Sequence, residues 1–285
     1  MKTKMENPAS FSANLFPGLC SVTFRSLSPE NLIALCQKIG IYAVEWGGDV
    51  HLPPGNLKRA RELAQRCDDA GIACPSYGSY FCCGASKDHQ MDHFQAILDT
   101  TTEIGAQTIR VWAGDQSPTQ ATSRTYAQVG EEASQIAEMA KKQGIFIAFE
   151  FHQGTLTENL DSLEMLHQHI HADNVGYYWQ PALGISHEEG LAQIQQLESR
   201  LIHVHAFHWS KGWFGKTLRH PLSWGQKQWS LYLHSLHELP RPFQSRSHHE
   251  HHIRRYVYLE FLKRENSKQL QADWNALSWM LSQQS

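Results

Sequence analysis

Eight times along its length the sequence passes from a short run with the period of a β-strand to a longer run with the period of a helix. The strand-like runs are "GLCSVTFR" (18–25), "AVEWGG" (43–48), "IACPSYGSY" (72–80), "QTIRVWAG" (107–114), "IFIAFEFH" (145–152), "VGYYWQP" (175–181), "LIHVHAFH" (201–208) and "RYVYLEF" (255–261). Amphipathic stretches such as "TYAQVGEEASQIAEMAKKQG" separate them, with Ser28-Pro29 opening the first helix and Gly40, Gly71 and Gly144 at three helix exits. Strict alternation implies a parallel sheet, because parallel neighbours need crossover connections, and eight such units close into a barrel. The expected fold is an α/β (β/α)8 TIM barrel. It fills residues 1–285 as a single domain with a short extension at 1–17. An open doubly wound sheet would carry a glycine-rich phosphate loop after its first strand, and "TFRSLSPEN" is not one.

Composition narrows the partners. A net charge of -3 offers no basic face for a nucleic-acid backbone and no polybasic membrane segment. No run of about 18 apolar residues suggests a membrane span, and the first residues lack a signal-peptide core. A cytoplasmic protein with neither a nucleic-acid nor a membrane partner is expected. The six cysteines form no C-x-x-C pair.

A barrel sorts polar residues by position. Side chains at the C-terminal ends of strands surround the active-site mouth, while the loops that follow helices lie at the opposite end. By this rule Glu45, Arg110, Trp112, Glu150, His152, Gln180, His203, His205, His208 and Glu260 all fall at the mouth. Glu150 and His152 alternate onto one side of their strand. Carboxylates and an imidazole from strands five, seven and eight can converge on a divalent ion with positions left open for substrate oxygens.

Eight βα units carrying "AFEFH", "HVHAFHW" and "YLEF" resemble the xylose isomerase-like barrels, which include sugar isomerases and sugar phosphate epimerases. "VEWGGDVHLPPG", "YGSYF", "IRVWAGD" and "YYWQP" look like the subgroup described as sugar phosphate isomerase/epimerase-like. The resemblance implies one divalent metal ion (Mn, Mg, Co or Zn), held by a glutamate, an aspartate, a histidine and a glutamate from strands five to eight. At those positions stand Glu150, Gln180, His205 and Glu260. Gln180 departs from the pattern by removing a charge, and Leu183 replaces the histidine of the family's D-x-x-H. The implied activity is isomerisation or epimerisation of a sugar or keto-sugar through an enediolate, with Glu150 and Glu260 as opposed catalytic bases. A lyase or dehydratase on the same barrel, and a non-catalytic sugar-binding barrel, stand as alternatives. A small carbohydrate is the expected partner, and the resemblance is compatible with a homodimer.

Substrate contacts are expected from His152, Arg110, Trp112, Trp46, His208 and Trp209, since aromatic faces pack on sugar C–H faces and a guanidinium pairs with anionic groups. The long segment "FHWSKGWFGKTLRHPLSWGQ" after strand seven is the expected lid, with Lys211, Lys216, Arg219 and His220 available to a polar substrate. The tract "SRSHHEHHIRR" precedes strand eight and belongs to the far end of the barrel, away from the chemistry.

Overall fold

The computed structural model describes residues 14–85, 90–213, 216–243 and 253–284. Eight parallel strands close into a barrel: β1 (Leu15–Cys20), β2 (Ala43–Gly47), β3 (Ala73–Cys83), β4 (Thr108–Ala113), β5 (Phe146–Glu150), β6 (Val175–Trp179), β7 (Leu201–Ala206) and, last in the chain, β10 (Arg255–Leu259). The ring closes where β10 lies between β7 and β1, with Leu15 opposite Arg255 and Leu19 opposite Leu259. Between β7 and β10 a small antiparallel hairpin, β8 (His208–Lys211) and β9 (Thr217–His220), stands apart from the barrel. The histidine-rich tract at 248–252 lies outside the described residues.

Helices α1 (Pro29–Ile39), α2 (Leu57–Asp69), α3 (Gln90–Ile104), α4 (Ser123–Lys141), α5 (Leu160–His167), α6 (His187–Leu197), α7 (Gln226–Glu238) and α8 (Ser267–Ser282) link and surround the strands. Their starts obey local chemistry. Ser28, Asn56, Thr122, Asn159, Ser186 and Asn266 each accept a hydrogen bond from a free backbone N–H of the first turn. Gly40 closes α1 at φ 87°, where a side chain would be strained.

Two apolar clusters result from the alternation of strand side chains. One fills the layer between strands and helices and includes Val44, Trp46, Ile109, Val111, Phe149, Trp179 and Trp229. The other lies inside the barrel and includes Ala43, Ala148, Tyr178, Tyr256 and Tyr258. Gly18 makes the second possible, since a Cβ there would meet the Tyr258 ring at 2.6 Å.

Two boundaries differ from the sequence reading. The first strand begins at Leu15 rather than Gly18 and stops at Cys20, so the expected extension to residue 17 overlaps β1; Ser21–Phe24 form a 3-10 turn. The lid segment also contains paired strands where a loop was expected. No helix among the described residues is long and apolar enough to cross a membrane.

Candidate active site

Above the tyrosines of the interior, the strand ends present a buried polar layer: Cys20 from β1, Glu45 from β2, Arg110 from β4, Glu150 from β5, His205 from β7 and Glu260 just after β10. Glu45 and Trp46 are neighbours on one strand and must face opposite ways. Glu45 enters the barrel and Trp46 the helical layer, where it is fully buried. The expected contact between Trp46 and substrate is therefore corrected: the residue belongs to the core, as does Trp179. His203 sits one step below His205, packed against Tyr178, Tyr256 and Tyr258. Burial lowers its pKa to about 3, so it is a neutral core residue rather than a mouth residue.

Arg110 organises one side of the layer. Its Nε donates to Glu45 Oε1 at 3.0 Å and its Nη1 to Glu150 Oε2. Both carboxylates are almost wholly buried, and such charges persist only when paired and hydrogen-bonded. Glu150 gains two further donors, Trp112 Nε1 to Oε2 at 2.8 Å and Gln180 Nε2 to Oε1 at 3.1 Å. Burial alone would raise its pKa, but Arg110, His205 and Trp112 together bring it down to about 2. Glu45 is held still lower against the same burial by Arg110 and His205.

The other side is less satisfied. His205 is fully buried, and its Nδ1 lies 3.4 Å from Glu260 Oε2, 3.3 Å from Gln180 Oε1 and 3.7 Å from Glu150 Oε1. Its Nε2 faces Glu45 Oε1 at 3.5 Å. Cys20 Sγ donates to Glu45 Oε1 at 3.3 Å and lies 3.8 Å from Glu260 Oε1. His205 Nε2 and Glu260 Oε2 have no hydrogen-bond partner among the described residues. Burial drives the Glu260 carboxyl up to about 7; the charge of His205 opposes this and that of Glu150 adds to it. The His205 pKa is raised as well: burial alone would lower it, but the charges of Glu260 and Glu45 push it well above the usual value.

The donor set fits a divalent ion. One donor atom each from Cys20, His205 and Glu260 lies within 4.8 Å of the others, and all three residues are buried. Two nitrogen or oxygen ligands about 2.1 Å from a tetrahedral ion stand about 3.4 Å apart, and a sulfur–oxygen pair about 3.6 Å. His205 Nδ1 lies 3.4 Å from Glu260 Oε2 and Cys20 Sγ 3.8 Å from Glu260 Oε1, near those values but on different oxygens of the carboxylate. Glu260 Oε2, buried without a hydrogen-bond partner among the described residues, is what an ion would satisfy; an ion on His205 Nδ1 leaves Nε2 facing Glu45.

A model of the xylose isomerase-like TIM barrel matches residues 33–257. The chain belongs to that family. Among solved members of this fold, the probable 3-DHS dehydratase AsbF of Bacillus anthracis superposes with a TM-score of 0.74 at 16% identity, covering 92% of this chain and 98% of that one. The IOLI protein with a bound zinc atom gives 0.67 at 15% identity, covering 95% and 99%. A Mycobacterium smegmatis barrel in complex with magnesium gives 0.67 at 12% identity, covering 94% and 97%. At these identities the likeness establishes the barrel. A search of curated protein sequences finds no match.

Around this polar layer the remaining expected residues divide. Trp112 reaches the mouth, half-buried, its ring 5.0 Å from that of His152 and 5.6 Å from that of Tyr80. His152 lies beyond the end of β5 and bonds the Gln153 carbonyl through Nδ1 at 2.7 Å; its ring packs on Trp112, whose Nε1 donates to Glu150. His208 and Trp209 are on the hairpin: His208 packs by His220, and Trp209 stacks on Phe207 with Phe261 tilted against it. Arg219 is turned to Glu265 at 3.2 Å.

Cys20 and Tyr80 were missed. Cys20 would have satisfied the strand-end rule had the first strand been ended correctly. Tyr80 has no such signal: a bulge between Gly78 and Phe81 puts it at φ 58°, with its ring 5.4 Å from the Arg110 guanidinium and its hydroxyl accepting from Arg25 at 2.9 Å.

Proposed function

We propose that this barrel is a metal-assisted isomerase or epimerase that moves a proton at a carbon next to the carbonyl of a sugar or keto-sugar, through an enediolate. One observation carries the reading: two buried carboxylates flank His205 in opposite environments. Arg110, Trp112 and Gln180 hold Glu150 ionised, ready to accept a proton, whereas Glu260 has no such donors on Oε2 among the described residues and can bind the ion through one oxygen while the other passes a proton. Pairs of groups whose surroundings separate their pKa values mark acid/base assignments. Glu150 takes the proton, and Arg110 keeps the site close to neutral as it does so. Glu260 donates from the far side of His205, from the neighbourhood of β1. His205 and Glu260 would hold the divalent ion, with Gln180 beside them, and the ion would supply positive charge for vicinal substrate oxygens. Trp112, His152 and Tyr80 form the aromatic wall for the sugar, and the β8–β9 hairpin covers the mouth.

The likeness to a probable dehydratase supports elimination as the second reading, because removal of a proton beside a carbonyl begins both reactions. The test is deuterium incorporation in heavy water, with a divalent ion and a panel of ketoses, keto-acid sugars and their phosphates, followed by mass spectrometry. Exchange lost in both Glu150→Gln and Glu260→Gln supports the proposal, and the products separate epimerisation from elimination. A folded, metal-loaded chain that binds a sugar without exchange would instead be a binding barrel for that sugar.

A further inference from the structure

Four residues of the polar layer are already committed to one another. Arg110 bonds both Glu45 and Glu150, and Gln180 turns its amide N–H groups toward Glu150 Oε1 and the Phe151 carbonyl, at 3.1 and 2.7 Å. To ligate an ion with Glu150, the chain would have to place a second cation against an oxygen pair that already accepts three donors. Opposite them, Glu260 Oε2 and His205 Nε2 are buried and lack hydrogen-bond partners among the described residues. Cys20 Sγ completes that side, 3.8 Å from the second oxygen of Glu260; the thiol now donates to Glu45 Oε1 at 3.3 Å, a bond that ligation would replace.

We propose that the ion is held by Cys20, His205 and Glu260, on the β1–β7–β10 side of the barrel, with Glu150 left free of it. The inference rests on the metal-assisted reading above and refines it: ligation and proton abstraction are assigned to different residues. Cys20 restores, from another strand, the negative charge that Gln180 fails to supply. A coordinating thiol is deprotonated by its ion, so binding releases one proton from sulfur. A sulfur–nitrogen–carboxylate set also changes the choice of ion. Thiolate and imidazole suit zinc and cobalt, whereas magnesium and calcium prefer oxygen donors throughout. Three protein ligands leave a fourth position for a substrate oxygen, as in catalytic zinc sites.

The experiment is a cobalt(II) titration of the full-length, metal-stripped chain, read by absorption. The expected result is a thiolate-to-cobalt charge-transfer band in the near ultraviolet that saturates at one cobalt per chain together with the visible ligand-field bands. It is absent from Cys20→Ser, which still binds cobalt at least about tenfold more weakly, and retained in Cys74→Ser. Zinc abolishes the band at stoichiometric amounts and magnesium in large excess does not. X-ray absorption of the zinc-loaded wild-type chain reads the same ligand without a variant: one sulfur neighbour at about 2.3 Å. Visible cobalt bands with no charge-transfer band, or zinc with no sulfur neighbour, would overturn the role of Cys20 and leave the proposed reaction intact. A band that survives in Cys20→Ser also overturns it. Failure of the wild-type chain to take up any cobalt or zinc would remove the metal-assisted reading itself.

Discussion

The guanidinium of Arg110 rests against Gly78: a Cβ on that glycine would stand 2.6 Å from Nη2 and 3.1 Å from Glu45 Oε1. The absence of a side chain on β3 is therefore what lets one arginine lie flat between carboxylates from β2 and β5. Gly78→Ala is expected to push the guanidinium off Glu45 and destabilise the chain by about 1–3 kcal/mol, the usual cost of overpacking a close-packed interior. Urea unfolding measures it. An unchanged midpoint would show that Arg110 has room to shift.

Removing the arginine outright leaves two buried anions without their partner. Arg110→Met should cost about 3–5 kcal/mol. Adding Glu45→Gln should recover part of that loss, because the uncompensated charge is then gone, and the double variant should be more stable than Arg110→Met alone. Strict additivity of the two changes would contradict the pairing.

Glu150 and Glu260, the carboxylates proposed for proton transfer, should give opposite pH signatures in the metal-free chain. Glu150 has a folded pKa near 2, below its unfolded value of about 4.3. It therefore contributes stability that is present above the unfolded value and lost as pH falls toward 2, on the order of 3 kcal/mol. Glu260 has a folded pKa near 7. Its effect is present at low pH and is lost as pH rises from about 4.3 through 7. Glu150→Gln should flatten the acid limb and Glu260→Gln the neutral one, measured as unfolding free energy against pH. Identical changes in the two variants would refute the assignment.

Gln180→Asp separates ion binding from apo stability. It exchanges the amide that donates to Glu150 for a carboxylate, so the metal-free chain should lose about 1–3 kcal/mol. The added charge should tighten zinc binding, and the melting temperature should rise further on adding zinc than in the wild type. A variant that is more stable without metal would rule out the Gln180–Glu150 contact.

Much of this architecture was legible because the barrel's rules are periodic. Strand and helix periods mark all eight units, and the strand-end rule alone brings Arg110, Glu150, His205 and Glu260 together. The failures have local causes. Trp46 and Glu45 are adjacent, and only the direction of the pleat tells which of them enters the barrel. Cys20 was hidden by a 3-10 turn whose apolar residues prolonged the strand pattern past its real end. Tyr80 depends on a bulge, which inserts residues into a strand without leaving a compositional mark.

Cys20 closes the first strand, and Glu260 follows the last. Because β1 pairs with β10, these two donors meet only across the seam where the chain's beginning finds its end. Ion capture at the proposed Cys20, His205 and Glu260 site would thus report on closure: a chain still being synthesised, or cut before residue 255, holds the first two groups but has no third. Occupancy of the site certifies that the ring has shut, and the free energy of binding acts as a clasp on the joint whose closure spans the greatest length of sequence.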